Sequence, residues 1–114
     1  MIDVVLSDLT KVDGIVGSLI VGKDGLLIAN ALPKSMDGDM IGAMSAAIFG
    51  TGEKSAERTG QGKLTQAMIE AENGKILVLD VGKAILAVIT DRDVNIGLIR
   101  LEMNDAKEKL ESML

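Results

Sequence analysis

The chain has 114 residues, of which 47% are apolar and 1% aromatic, and it carries a formal net charge of −5. Cysteine and histidine are absent, which excludes zinc sites built from those residues, thiol nucleophiles and catalytic triads with an imidazole base. Nucleic-acid binding is not expected, because it usually requires a basic groove and several stacking rings. We therefore expect no catalytic site, no cofactor and no metal ion.

The length of the chain predicts a single domain over residues 1–114. Acidic residues near the N-terminus, Asp3 and Asp8, are not typical of a signal peptide, and no apolar run approaches the length of a membrane span. We therefore expect a cytoplasmic protein that does not insert into a membrane.

The N-terminal half predicts a helix, a hairpin and a second helix. Apolar residues at helical spacing indicate an amphipathic helix over residues 1–11, with Ile2, Val5, Leu6 and Leu9 on one face. The β-rich runs IVGSLIV (15–21) and LLIANAL (26–32) flank an Asp24-Gly25 turn, as in a hairpin. Residues 36–59 favour a helix, with Ser35 or Asp37 as N-cap and Gly60 at its C-terminal end.

The C-terminal half predicts three strands and a last helix. The strands are LTQAMIEAE (64–72), KILVLDV (75–81) and AILAVITD (84–91), joined by turns at Asn73-Gly74 and Gly82-Lys83. After Asn95, apolar residues at steps of three and four define one face of a helix, formed by Ile96, Ile99, Met103, Ala106, Leu110 and Met113. The predicted order is therefore α-β-β-α-β-β-β-α.

Strand composition predicts how these elements stack. Three strands are apolar at both odd and even positions, which indicates that helices cover both faces of one sheet. We therefore predict an α+β fold, a three-layer α/β/α sandwich around a five-stranded antiparallel sheet. The two terminal helices share one face, and the central helix covers the other. Residues 64–72 alternate instead, which indicates an edge strand.

The segment IFGTGEKS (48–55) resembles a phosphate-binding loop. Such a loop needs a glycine directly before its lysine and another at its start, but Glu53 precedes Lys54 and Ile48 stands at the first position. A carboxylate beside the lysine would repel a phosphate. We therefore expect no nucleotide binding by the chain itself. The small residues of this segment favour close helix packing instead, including packing against a helix of a second subunit.

Acidic residues are better explained as caps and turn contacts than as catalytic pairs. Asp37 with Asp39, and Asp91 with Asp93, precede predicted helices, where carboxylates stabilise the N-terminus. Asp80 lies at the end of an apolar strand, which favours a contact with the following turn. No nucleophile has a partner base nearby, so we expect that the protein is not an enzyme.

The ordered set of elements resembles the Roadblock/dynein light chain (Roadblock/LC7) family of prokaryotic type. The resemblance rests on GSLIVGKDGLLIANALP, the Ala-rich central helix, AMIEAENGKILVLDVGKAILAVITD and NIGLIRLEM, which together cover nearly the whole chain. It implies a profilin-like or longin-like fold and a homodimer formed by the third strand and the central helix. In this family the dimer commonly serves as a platform for Ras-like small GTPases.

The resemblance therefore implies a homodimeric regulator of a Ras-like small GTPase, acting through conformational selection. The alternative is a structural adaptor that holds a larger assembly together without any effect on GTP hydrolysis. A small-molecule-sensing domain is a third alternative, but no polar cluster in the predicted core favours one, and we expect no small-molecule ligand.

Two sets of residues follow from this reading. The expected dimer interface comprises Met40, Met44, Ala47, Ile48, Thr51, Ser55, Leu64, Gln66 and Met68. The expected contacts with the GTPase are the charged residues at the end of the central helix, Glu53, Lys54, Glu57 and Arg58. Arg58 as an inserted arginine finger is a further alternative, although a charged helix end is most often simply solvated.

Overall fold

The computed structural model describes residues 1–114 and contains three helices and five strands in the predicted order. The N-terminal half forms α1 (Ile2–Thr10), β1 (Ile15–Gly22), β2 (Leu27–Ala31) and α2 (Gly38–Arg58). The C-terminal half forms β3 (Gln66–Ala71), β4 (Gly74–Asp80), β5 (Ala84–Asp91) and α3 (Ile96–Glu111). Each predicted element is therefore present, with small differences at its ends.

The five strands form one antiparallel sheet in the order β2-β1-β5-β4-β3. The apolar strands β1, β5 and β4 occupy the interior of the sheet, as their composition predicts. Strand β3, which lies within the alternating run 64–72, is at one edge, so the edge-strand prediction is confirmed. Strand β2 forms the other edge.

The helices cover the two faces unequally. Helices α1 and α3 enclose one buried cluster of 15 residues that includes Leu6, Leu86 and Met103. Helix α2 covers a second cluster of six residues on the opposite face, with Phe49 as its largest member. The three-layer sandwich is therefore confirmed, and the α2 face has the smaller buried core.

Local side-chain and backbone contacts define the ends of α2 and α3. Asp37 accepts a hydrogen bond from the Met40 N–H at 3.2 Å, and Asn95 accepts one from the Leu98 N–H at 3.1 Å. Beyond the C-terminus of α2, Gly60 has a φ of +73°, and the Gln61 N–H donates to the Ala56 carbonyl at 2.8 Å. This arrangement is a Schellman motif, so the predicted role of Gly60 is confirmed.

The turn between β3 and β4 differs from the prediction. Ala71 pairs with Gly74, so the turn residues are Glu72 and Asn73, and Gly74 begins β4. The φ of Gly74 is not positive. A Cβ at this position would instead collide with the Thr90 carbonyl oxygen of β5. The glycine thus serves close strand approach, which a local turn pattern does not distinguish from turn formation.

Candidate protein-interaction surface

The segment 48–55 lies inside α2, which is an uninterrupted helix from Gly38 to Arg58. Its N–H groups point along the helix axis towards carbonyl groups of the preceding turn, and they cannot wrap around a phosphate as a loop does. The Ser55 hydroxyl also donates to the Thr51 carbonyl, at 2.9 Å. The segment is therefore part of a packing helix and not a phosphate-binding loop.

The outer face of α2 is apolar in its N-terminal half. Met40 and Met44 are 55% and 56% exposed, although the helix buries Phe49 on its inner side. The remaining exposed residues of this face are small or polar and include Ala43, Ala47, Thr51 and Ser55. Gly50 also belongs to this stretch, and a Cβ there would meet no atom within 4 Å. The folded monomer therefore gives no packing reason for a glycine at position 50.

Three isoleucines form a row across the sheet on the face that α2 covers. Ile69 of β3 lies opposite Ile76 of β4, and Ile76 lies opposite Ile89 of β5. Ile76 packs against the α2 cluster, so directly opposed residues share its face. Ile69 is 39% exposed, and Ile76 and Ile89 are half-buried. Helix α2 thus leaves this isoleucine row partly in water.

Strand β3 has a free edge, because only one of its sides has a neighbouring strand. The Asp80 N–H donates to the Thr65 carbonyl at 3.0 Å, which marks these two residues as a hydrogen-bonded pair. Such pairs alternate along an antiparallel ladder, so residues 67, 69 and 71 direct their main-chain groups towards β4. The N–H and C=O groups of the intervening residues point outward, at Gln66, Met68 and Glu70.

The structure distributes the expected dimer residues over both faces of the sheet. Met40, Met44, Ala47, Thr51 and Ser55 are exposed on α2, and Ile48 is half-buried. Leu64 lies on the same face, since it contacts the position where a Cβ of Gly52 would be. Gln66 and Met68 lie opposite Leu79 and Leu77, on the α1 and α3 face. The expected residues on the two faces are therefore joined into one surface only at the β3 edge, where the two faces meet.

The isoleucine row is the part of this surface that sequence reasoning missed. Ile69 alternates with the expected Met68, so its position on the opposite face is readable from the strand pattern. Its alignment with Ile76 and Ile89 depends on the register of three strands, which no local signal contains.

The charged residues at the C-terminal end of α2 form two groups. Glu53, Lys54 and Glu57 line an open cleft together with residues of the α2–β3 connection, Gly62 and Lys63. Arg58 is exposed in the last turn of the helix and is not part of the cleft. The structure thus brings three of the four expected GTPase contacts together.

The three helices do not meet the requirements of a membrane span, since each is too short or too polar to cross a bilayer.

Asp80 is a buried carboxylate at the end of β4. Its Oδ1 accepts a hydrogen bond from the Gly82 N–H at 2.9 Å, which confirms the predicted turn contact. The side chain also pairs with Lys23 at 3.4 Å and with Lys63 at 3.3 Å, two contacts that sequence reasoning missed. Burial raises the pKa of the carboxyl, but the Gly82 N–H and the ammonium groups of Lys63 and Lys23 lower it more. The net pKa of Asp80 is therefore below its ordinary value.

Residues 1–90 match the Roadblock/LC7 domain family, and the chain belongs to this family. The chain is similar to the uncharacterized protein MJ1340 of Methanocaldococcus jannaschii, with 53% identity over 113 residues that cover 99% of both chains. The uncharacterized protein MJ0310 of the same archaeon is 52% identical, with the same coverage. The resemblance inferred from the sequence is therefore confirmed.

Solved structures with the same fold come from bacteria and a eukaryote. Myxococcus xanthus MglB is 24% identical and aligns with a TM-score of 0.91 over 98% of this chain and 93% of its own. A Roadblock/LC7 domain from Streptomyces avermitilis is 20% identical, also with a TM-score of 0.91, over 97% and 95%. Acanthamoeba castellanii profilin IB is 14% identical, with a TM-score of 0.70 over 99% and 98%. The profilin-like fold is thus confirmed.

Proposed function

We propose that the chain forms a homodimer through β3 and the outer face of α2, and that this dimer binds a Ras-like small GTPase. The observation that carries the proposal is the apolar surface on the α2 face. The isoleucine row, Met40 and Met44 remain partly in water in the monomer, next to a free strand edge. Such a surface in a small soluble domain usually marks a protein interaction site.

The two edges of the sheet differ in a way that favours β3 for pairing. Strand β2 is short and bulged, since Ile20 pairs with Ala29 and Val21 with Leu27, which leaves Ile28 unpaired. Natural sheets use short, bulged edges to prevent further pairing. Strand β3 instead pairs regularly with β4 from Gln66 to Ala71 and has no bulge. We therefore assign the dimer contact to β3.

The pattern of outward main-chain groups suggests a register for this pairing. When a twofold axis perpendicular to the sheet relates the two copies, the α2 faces of both copies lie on the same side of the joined sheet. Only residues of the same face can then lie opposite each other. An antiparallel pairing centred on Met68 places Gln66 opposite Glu70 of the second copy and Met68 opposite its own counterpart. All three outward residues then form hydrogen-bonded pairs, and Glu70 faces no like charge.

The same register accounts for the apolar groups on the α2 face. Both α2 helices and both isoleucine rows then lie on one side of the continuous sheet. Ile69 lies opposite Ala67 of the second copy, where the two side chains exclude water from each other. Met44, Thr51 and Ser55 are available for contact between the two helices. Dimer formation therefore covers the apolar surface that the monomer leaves exposed.

The C-terminal end of α2 is the proposed contact with the GTPase. Glu53, Lys54 and Glu57 lie beside the connection that leads into β3, since they line one cleft with Gly62 and Lys63. Arg58 follows them in the last turn of α2. The charged groups would favour oriented encounter with a partner, and the apolar part would supply affinity. Because a platform of this kind acts by differential affinity for two GTPase conformations, it needs no catalytic group of its own. We place this interaction in the cytoplasm.

Binding to purified Ras-like GTPases from the same genome tests the proposal. Calorimetry with the GTPase loaded with GDP or with a non-hydrolysable GTP analogue should show a preference for one state, and single-turnover hydrolysis should change when the chain is added. The double variant Lys54→Ala/Arg58→Ala should weaken binding, whereas Lys109→Ala on α3 should not. Binding without state preference or rate change would favour the structural adaptor. Absence of binding to every such GTPase would refute the proposal.

A further inference from the structure

The connection between α2 and β3 joins the two elements of the proposed dimer contact and contains a glycine hinge. Gly60 has a φ of +73° and Gly62 a φ of +88°. No heavy atom lies within 4 Å of a Cβ built at either position, and residues 59–63 are all exposed. The Gly60 and Gln61 N–H groups donate to carbonyl groups of α2, so the hinge is at Gly62, and glycine has more conformational freedom than any other residue. From Gln66 onward the ladder with β4 fixes the chain, so the path to be determined is that of residues 62–65.

Asp80 contacts the chain directly after the hinge in two ways. Its Oδ2 pairs with Lys63 Nζ at 3.3 Å, and its main-chain N–H donates to the Thr65 carbonyl at 3.0 Å. Between these two contacts, Leu64 packs against Gly52 of α2. The carboxylate itself is held in place, because the side chain is 8% exposed and accepts the Gly82 N–H. A buried carboxylate in a fixed position thus anchors the chain directly after Gly62.

The same carboxylate also pairs with Lys23, which links it to the core beneath α2. Lys23 lies in the β1–β2 turn and pairs with Asp80 Oδ1 at 3.4 Å. Its ammonium group also lies 5.9 Å from the centre of the Phe49 ring, in the core beneath α2. Lys23 and Lys63 therefore meet at one carboxylate, and the three side chains connect the β1–β2 turn, α2 and the start of β3.

We infer that Asp80, Lys63 and Lys23 form an ionic latch that positions β3 against α2 for assembly with the second copy. The inference rests on the proposed dimer, because the latch acts on the two elements that form it. With the latch closed, residues 63–65 follow one path between α2 and the ladder of β3. With Lys63 released, the hinge samples several conformations, and dimer formation must order them again. Lys63 is thus a positioning residue that acts on the interface through β3.

The variant Lys63→Met tests the latch, because it keeps an unbranched side chain of similar length and removes its charge. We expect the dissociation constant of the dimer to rise by about two- to fivefold, since Lys63 is exposed and the residues after Gly62 must be ordered on association. Amide hydrogen exchange at residue 80, whose N–H donates to the Thr65 carbonyl, should become faster by a similar factor, from the same loss of order. Lys63→Arg retains a cation of similar reach and should restore both values. Lys83→Met removes an exposed lysine in the β4–β5 turn that forms no salt bridge and serves as the matched control.

A second variant, Asp80→Asn, separates the latch from general stability. The amide can still accept the Gly82 N–H but attracts neither lysine, so it should reproduce the faster exchange of Lys63→Met. Unchanged exchange of the residue 80 amide in both variants would overturn the latch. A wild-type chain that is monomeric in sedimentation would instead refute the proposed dimer, and the exchange measurement would then still decide whether Asp80 orders the hinge. Equal weakening of the dimer by Lys83→Met would also contradict the inference.

Discussion

Proline in place of Met68 is the most direct test of the proposed β3 contact. The main-chain N–H of Met68 points away from β4, so the β3–β4 ladder does not use it. Proline lacks this donor and places its ring on the outward side, which is tolerated at the edge of a sheet. The substitution Met68→Pro should therefore leave the monomer folded while it removes the centre of the proposed pairing.

The size of the effect follows from the register centred on Met68. In the proposed dimer, the N–H of each Met68 donates to the carbonyl of its counterpart, so Met68→Pro removes both central hydrogen bonds. Each contributes about 0.5–1.5 kcal/mol net, so the loss is about 1–3 kcal/mol before any clash of the two rings. Because about 1.4 kcal/mol corresponds to a factor of ten, the dimer dissociation constant should rise by about fivefold to about 150-fold.

Sedimentation equilibrium across a range of concentrations measures this change. The melting temperature of the wild type should also increase with concentration, as expected for a dimer, whereas that of Met68→Pro should show the same increase only at concentrations at least about fivefold higher. Ile69→Pro is the matched control, because the Ile69 N–H points towards β4 and its loss should disrupt the monomer. If Met68→Pro retains the dissociation constant of the wild type, β3 does not form the interface.

Three further predictions concern stability and are best measured by urea denaturation in the Met68→Pro background, at protein concentrations below its dimer dissociation constant. Phe49→Ala should reduce the free energy of unfolding by about 3–5 kcal/mol, since Phe49 is 1% exposed and is the largest residue of the α2 core; a loss below about 1 kcal/mol would contradict this. Gly74→Ala should destabilise by about 1–3 kcal/mol through its collision with Thr90, whereas Gly50→Ala should stabilise by about 0.5–1 kcal/mol; equal effects would refute the distinction. Asp80→Asn should make unfolding less sensitive to acid. Because the folded pKa of Asp80 lies below its unfolded value of about 3.9, its contribution is present above that pH and disappears as the pH falls through the folded pKa. If the free energy of unfolding falls equally with pH in the two proteins, Asp80 does not have this role.

Elements and their ends were predictable because their signals are local. Helix α1 follows from the spacing of Val5, Leu6 and Leu9, all of which are buried. The caps at Asp37 and Asn95 and the C-terminal glycine at position 60 act within a few residues of the chain. The central and edge positions of strands were also readable, since burial on two faces or one changes their composition.

Contacts that depend on register were not predictable in the same way. The isoleucine row joins three residues on three strands, and a shift of one position in any pairing would move one of them to the other face. Gly74 was assigned to a turn because Asn-Gly is a common hairpin signal, whereas its actual requirement comes from Thr90 on a neighbouring strand. The lysines that meet at Asp80 lie 57 and 17 residues before it in the sequence.

The asymmetry of the two faces connects these observations. Helices α1 and α3 together enclose most of the buried core, whereas α2 alone covers the opposite face and leaves the isoleucine row half-covered. A second helix on that face would complete the layer, and the chain contains no further helix to supply it. In the proposed dimer, pairing at the β3 edge brings α2 of a second copy to that side of the sheet. The proposed latch at Asp80 acts on residues 62–65, which connect α2 to the β3 ladder beside the proposed interface, so its effect on dimer affinity should exceed its effect on the stability of the monomer.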